Sequence, residues 1–320
     1  YKLKQLMKIL IGKNQISKKS KIYFIADISA NHDGSLTRAK KLIKLAAESG
    51  ANAVKFQHFR ANTIVSDFGF MKMGKISHQS KWKKSVYKIY DAASLNINWT
   101  KQLYNQAKKY NVDFLTAPYD LNYVDDVYKY VSAYKIGSGD VDWREIIIKI
   151  SKKNKPVILA TGASNMNEVI KTVNLITKYN KKLILMQCNT NYTYDEQNYN
   201  HINLKVLNNY NNIFKNKMIL GLSDHTQGCS TVLGAVALGA KVIEKHFTDN
   251  NNRIGPDHYF SMNPETWSEM VNETRRLEKS LGKEIKKVEK NELKTNFIQR
   301  RGSYAKRDIK KNEPITFDDI

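Results

Sequence analysis

The strongest constraint on the fold of this chain is an alternation that repeats eight times. Apolar runs of strand length occur at 22–29 (IYFIADIS), 52–57 (NAVKFQ), 112–118 (VDFLTAP) and 133–139 (AYKIGSG). Four more follow at 155–162 (KPVILATG), 182–189 (KLILMQCN), 218–225 (MILGLSDH) and 240–247 (AKVIEKHF). Longer segments of helical period separate them. In 35–50 (SLTRAKKLIKLAAESG), Ser35 is placed to cap the helix, Leu42, Leu45 and Ala46 share a face, and Gly50 ends it. The segment 99–111 has the same character. Strands that are apolar on both flanks belong in a parallel sheet covered by helices. Eight such units predict a (β/α)₈ TIM barrel. The alternative is an open doubly wound sheet, but no G-x-G-x-x-G follows the first strand and eight units suit closure better.

Composition narrows the class further. At 320 residues, with 41% hydrophobic and 10% aromatic side chains, the chain is globular and long enough for a substantial core. No apolar run reaches the ~18 residues that a membrane span needs. Residues 1–20 are basic around LMKILI, which Lys8 interrupts, and no small-residue cleavage pattern follows. They read as an N-terminal extension rather than a secretory leader, ahead of a catalytic barrel over 21–282. The Tyr1 start suggests that residues are missing before it. Two cysteines, Cys188 and Cys229, give no disulfide framework, so a cytoplasmic location is expected. Net charge is 53 − 30 = +23. An anionic partner would account for that, but lysines recur along the whole chain and no arginine- and aromatic-studded stripe appears. A composition bias spread over solvated faces is the better reading, and nucleic-acid binding is not expected.

Two regions depart from the repeat. The connection over 58–98 is Lys-, Ser- and Tyr-rich, and at that length is expected to be functional or disordered. On a barrel it would overlie the catalytic face as a lid. After Gly282 a charged linker (283–300) leads to RGSYAKRDIKKNEPI, read as a strand, a polar turn and a proline-marked second strand. Residues 301–320 would then open a small β-rich module that the chain does not complete.

Catalytic groups of a (β/α)₈ barrel sit at the carboxyl ends of its strands. In chain order those ends carry Asp27, Asn31 and His32; Lys55 and Gln57; Thr116; Lys135, Ser138 and Asp140; Thr161; Gln187, Cys188, Asn189 and Thr190; Ser223, Asp224 and His225; and Glu244 and His246. GPDH (255–258) follows. Lys55 and Lys135 interrupt apolar runs, and a buried ammonium requires an anionic partner. Asp27 or Glu244 could supply it, although an oxyanion substrate facing both lysines is more economical. Ser138 and Ser223, beside glycine-containing turns, could add donors to a phosphate or carboxylate. His225 and His246 fall at equivalent positions of adjacent strands, ~5 Å apart. They are either two hydrogen-bonded histidines or part of an octahedral divalent-metal site.

The motifs ADISANHDGS, VKFQ, TAPYD, AYKIGSGD, ILATGAS, GLSDHT, GAKVIEKHFT and GPDHYFSMNP, in this order, resemble the sialic acid synthase family. That family comprises N-acetylneuraminate synthase and its bacterial legionaminic and pseudaminic relatives, and the resemblance runs from about residue 22 to 320. It implies metal-dependent condensation of phosphoenolpyruvate with an open-chain N-acyl hexosamine such as N-acetylmannosamine. The products are a nine-carbon 2-keto acid and phosphate. Carried onto this chain, His225 and His246 hold the metal, expected to be Mn²⁺ with Mg²⁺ or Co²⁺ as substitutes. Lys55, Lys135, Ser138 and Ser223 hold phosphoenolpyruvate. Gln57 and Asp257 lie near the sugar, Tyr192 matches the tyrosine after the sixth-strand cysteine, and Asn31, Thr116 and Thr190 join the substrate-binding set. Asp27 and Glu244 are the candidates for proton transfer. Three departures stand out: Asp27 replaces a glutamate, Ala117 removes a hydroxyl that Thr116 would have to replace, and Thr190 stands where the family has Asn or Ser. RRGSYAKRDIKKNEPITFDDI resembles the start of an antifreeze-like (SAF) domain. In the family that domain caps the partner's barrel in a domain-swapped homodimer and supplies an arginine. A synthase acting on a sugar phosphate is the alternative, but it would need more arginines than Arg60, Arg144 and Arg253.

Overall fold

A computed structural model describes residues 7–73, 84–193, 195–215 and 217–320. A two-stranded antiparallel hairpin, β1 (Lys8–Ile11) and β2 (Asn14–Ser17), comes first. Eight parallel strands follow: β3 (Tyr23–Asp27), β4 (Ala53–His58), β5 (Asp113–Pro118), β6 (Ala133–Ile136), β7 (Val157–Ala160), β8 (Leu183–Cys188), β9 (Ile219–Asp224) and β10 (Val242–His246). Each pairs with the next, and β10 pairs with β3 to close the barrel. The fold is the (β/α)₈ barrel expected from the alternation. Among the described residues no helix is long and apolar enough to cross a membrane.

Alternation along each strand builds two cores. Outward residues such as Phe24, Val54, Phe56, Phe114, Leu159, Leu185 and Ile243 pack on the surrounding helices. Inward residues Tyr23, Ile25, Leu115, Ile158, Ile184, Met186, Ile219 and Val242 fill the barrel itself. Ser35 caps the helix Leu36–Glu48 by accepting from Arg38 N, and Ala39, Leu42, Ile43 and Ala46 form its buried stripe. The final barrel helix, Pro264–Ser280, starts with a capping box on Asn263 and buries Trp267.

Residues 8–17 are more than an extension. Ile9, Ile11 and Ile16 join the interior cluster, and Asn14 Nδ2 donates to Asp113 Oδ2 at 2.8 Å, at the first residue of β5. The hairpin therefore plugs the amino-terminal end of the barrel. Its two-residue turn depends on Gly12, whose φ of +54° and closeness to Asp113 exclude a side chain.

The connection over 58–98 contains the short helices Ala61–Ile64, Asp67–Met73 and Val86–Ala93. Most of SHQSKWKK falls on 74–83, outside the described residues.

The chain divides into two compact units, Tyr1–Leu281 and Gly282–Ile320. The second contains the helix Leu293–Ile298 and short 3₁₀ turns at Lys290–Glu292 and Phe317–Asp319. The two strands expected in 301–315 do not form. Two strands alone are marginal in water, and this stretch is occupied by a Lys310–Glu313 turn with Asn312 left-handed at φ 71°.

Candidate active site

The register of the barrel converges charged side chains at its carboxyl-terminal mouth. Asp27 pairs with Lys55 across β3 and β4, and Ser223 with Glu244 across β9 and β10. By the same two-residue period Lys135 on β6 points inward. Lys55 Nζ lies 2.9 Å from Asp27 Oδ2 and 3.1 Å from Glu244 Oε1. Lys135 Nζ also donates to Glu244 Oε1, and Ser223 Oγ donates to it at 3.2 Å. The lysines thus have carboxylate partners within the protein, the arrangement that the sequence had made secondary to an oxyanion substrate. Burial alone would raise the Glu244 carboxyl, but Lys135 and Lys55 outweigh it and hold the group well below the usual carboxylate range. Burial pulls the Lys55 ammonium down, and Asp27 and Glu244 more than reverse this. For Lys135 burial prevails, helped by Lys55, and its ammonium is easier to deprotonate than usual.

These groups line one cavity of about 580 Å³, together with Gln57, Ser138, Asp140, Cys188, Thr190, Tyr192, His225, His246 and Asp257. Gln57 Nε2 reaches Asp27 Oδ2 at 3.4 Å. Ser138 Oγ accepts from Gly162 N at 2.9 Å, an approach that needs glycine, because a Cβ at 162 would lie 2.5 Å from Thr190. Asp257 accepts from Ser29 Oγ and from Ala30 N. Burial, then Asp142, lifts the Asp140 carboxyl to about 7. Burial pushes the Cys188 thiol up, but His225, Ser138 and Lys135 together bring it below its ordinary value.

Two of the predicted substrate contacts lie elsewhere. Thr116 is the outward residue between Leu115 and Ala117. Its hydroxyl donates to Phe56 O at 3.1 Å and lies 2.6 Å from His58 Nδ1, so it cannot replace the hydroxyl missing at Ala117. Asn31 Nδ2 donates to Phe247 O and Ser261 Oγ, both at 2.9 Å, and Asn31 does not line the cavity. Other strand-end groups are structural too. Asp224 faces outward onto Lys245, and Gln187 Nε2 donates to Ile202 O. His32 is depressed to about 4, chiefly by burial.

The rings of His225 and His246 have centroids 5.4 Å apart, and Tyr192 lies 4.3 Å from His225. His225 Nδ1 sits 2.7 Å from the Asn189 carbonyl, which fixes the proton there and leaves Nε2 as a lone-pair donor. His246 Nδ1 is buried without a hydrogen-bond partner. The two imidazoles, His225 also hydrogen-bonded to Cys188 and His246 with its Nδ1 unpartnered, would supply two ligands to a divalent ion that leaves its other positions to water and substrate. Among the described residues no group of three or more His, Cys, Asp or Glu side chains is arranged to hold one.

The other half of the cavity wall comes from the 58–98 connection, which the sequence placed over the catalytic face without singling out any of its residues. Phe59, Ile64, Val65, Phe70, Ile89 and Ala93, from the 58–98 connection, line it with Tyr119 and Trp143. Their place over the mouth was expected, but not the short helices that present them.

A charge-dense mouth on a (β/α)₈ barrel defines a barrel enzyme whose chemistry sits at the carboxyl ends of its strands. The particular family follows from comparison: the chain belongs to the NeuB family, whose model matches residues 42–286. It is 39% identical over 300 residues to the N,N'-diacetyllegionaminic acid synthase of Campylobacter jejuni, covering 92% of this chain and 87% of that one. It is 30% identical to the pseudaminic acid synthase of the same species, covering 94% and 86%. A crystal structure of N-acetylneuraminic acid synthetase from Leptospira borgpetersenii superposes with a TM-score of 0.79 at 26% identity, covering 92% of this chain and 99% of that one.

Proposed function

We propose that this protein is a nonulosonic acid synthase that condenses phosphoenolpyruvate with an open-chain N-acyl hexosamine in the cytoplasm. The observation that carries the reading is the cluster of Lys55, Lys135 and Ser223 on Glu244, beside Asp27 and the two histidines. Similarity to proteins named N,N'-diacetyllegionaminic acid synthase and pseudaminic acid synthase supports it.

The C=C π pair of phosphoenolpyruvate forms the new bond from carbon 3 to the aldehyde carbon and leaves positive charge at carbon 2, while the C=O π pair moves to the aldehyde oxygen, which takes up a proton. Water adds there and loses a proton. Phosphate then departs with the C–O bond electrons, and the ketone forms. Each lysine ammonium has three N–H donors. Lys55 uses two on Asp27 and Glu244, and Lys135 uses one on Glu244, so donors are left for substrate oxygens. Glu244, held ionised, suits alignment of the lysines better than proton transfer, which leaves Asp27 as the nearer base. Tyr192, packed at a tilt of 55° against His225, limits how that ring can turn. The two lysines and two carboxylates cancel in formal charge, so an anionic substrate needs further positive charge. A divalent ion such as Mn²⁺ on His225 and His246 would supply it and polarise the aldehyde as a Lewis acid.

Incubation with phosphoenolpyruvate, Mn²⁺ and N-acyl hexosamines is expected to release phosphate only when an acceptor is present. His225→Ala and His246→Ala should each abolish that release and weaken Mn²⁺ binding measured by calorimetry. Undiminished turnover in both variants would contradict the metal assignment.

A further inference from the structure

Along β9 and β10 the helix-facing rows are apolar until they reach one pair. The β9 row runs Leu220, Leu222 and then Asp224, and on β10 Lys245 stands between Ile243 and Phe247. Asp224 and Lys245 are register partners, and each side chain is only 1% exposed. Lys245 Nζ donates to Asp224 Oδ2 and, at 2.6 Å, to Thr226 O. Thr226 Oγ1 and Thr231 Oγ1 donate to the same carboxylate oxygen at 2.9 and 2.8 Å. Two charges are thus sealed where the neighbouring positions hold apolar side chains.

Stability does not account for such a pair. Desolvation offsets the attraction, and apolar substitutes of similar volume are often neutral or stabilising. A buried hydrogen-bonded pair is better suited to fixing register, because hydrogen bonds are directional and dispersion contacts are not. What it fixes here is the backbone that carries the histidines. Asp224 and Thr226 flank His225, and Lys245 stands between Glu244 and His246. Successive side chains on a strand point to opposite faces, so a grip from outside sets where the residues between point inside. The Asn189 carbonyl orients the His225 ring, but His246 Nδ1 has no such partner, which leaves that ring's placement to its backbone and packing. Resting on the proposed metal reading, we propose that Asp224 and Lys245 are positioning residues whose ion pair locks β9 to β10 so that His225 and His246 can meet one divalent ion. The pair is formally neutral. Replacing both members leaves the charge beside that ion unchanged, so a loss of affinity reports geometry.

The test separates positioning from folding. Wild type and the double variant Asp224→Leu/Lys245→Met are compared by urea unfolding, by calorimetric titration with Mn²⁺ and by the electron paramagnetic resonance spectrum of the bound ion. The unfolding midpoint of the double variant is expected at or above that of wild type. Its Kd for Mn²⁺ is expected to rise by about 10–100-fold, the range seen when groups that orient metal ligands are removed, with a changed spectrum. Lys245→Met alone strands the Asp224 carboxylate and should lose both stability and affinity. Thr226→Val is near-isosteric and removes one hydroxyl from the network. It should stay folded and weaken Mn²⁺ toward the lower end of that range, and it carries the test if the double variant does not fold. Wild-type Mn²⁺ affinity in the folded double variant, or in Thr226→Val where the double variant does not fold, would overturn the positioning role while leaving the metal reading intact. A wild-type protein that binds no Mn²⁺ would overturn both.

Discussion

Glu244 accepts from Lys55, Lys135 and Ser223 on one oxygen, while its other oxygen is buried without a partner. Glu244→Gln leaves two ammonium groups facing a neutral amide, and removing one member of a buried pair costs about 3–5 kcal/mol. Urea unfolding should show a loss of that order, partly recovered when Lys135→Met is added; a change under about 1 kcal/mol would contradict the pairing. Asp140 gives a pH signature. Its folded carboxyl titrates near 7, above the unfolded value, so the folded state binds the proton more tightly and stability falls as pH rises between those values. Asp140→Asn mimics the protonated group. It should raise the melting temperature at pH 8 and have little effect at pH 4; equal shifts at both pH values would argue against this titration. At this scale the sequence was legible wherever a charge interrupted an apolar run, as at Lys55, Lys135 and Glu244. It misled where a polar residue merely stood near a strand end. Thr116 differs from Ala117 by one step of the two-residue period, which is enough to turn its side chain out of the barrel.

Helices and strands were readable because their periods differ, and the eightfold recurrence then fixed their arrangement. The hairpin β1–β2 was not: each strand has four residues and a lysine stands within LMKILI, so no period could establish itself. Its importance lies in the tertiary contacts of Ile9, Ile11 and Ile16. Ile11→Ala should cost about 2–5 kcal/mol in denaturant unfolding, as expected for a fully packed isoleucine, whereas a solvated extension would lose almost nothing. The loop after β10 is held in a comparable way. His258 Nε2 lies 2.8 Å from Asp33 Oδ1, and Nδ1 lies 2.7 Å from Thr248 Oγ1, with Arg253 also on Asp33. This positions Asp257, one residue away, against Ser29. His258→Ala should raise the acceptor KM more than it lowers kcat, with partial recovery in His258→Gln. Equal KM for phosphoenolpyruvate and acceptor effects would instead mark a general loss of fold.

For the whole molecule, the excess of 53 basic over 30 acidic residues predicts faster encounter with an anionic substrate at low salt. The second-order rate constant for phosphoenolpyruvate, kcat/KM, should fall as ionic strength rises past the range where the Debye length drops to about 8 Å, while kcat changes little. The central claim is that the barrel mouth joins the two substrates through a new carbon–carbon bond. Mass spectrometry of the reaction with phosphoenolpyruvate, Mn²⁺ and an N-acyl hexosamine, read alongside phosphate release, tests it most directly. The account predicts one product whose mass equals both substrates plus water minus phosphoric acid, formed in equal amount to the phosphate released. Phosphate accompanied by pyruvate, with the sugar unchanged, would contradict it.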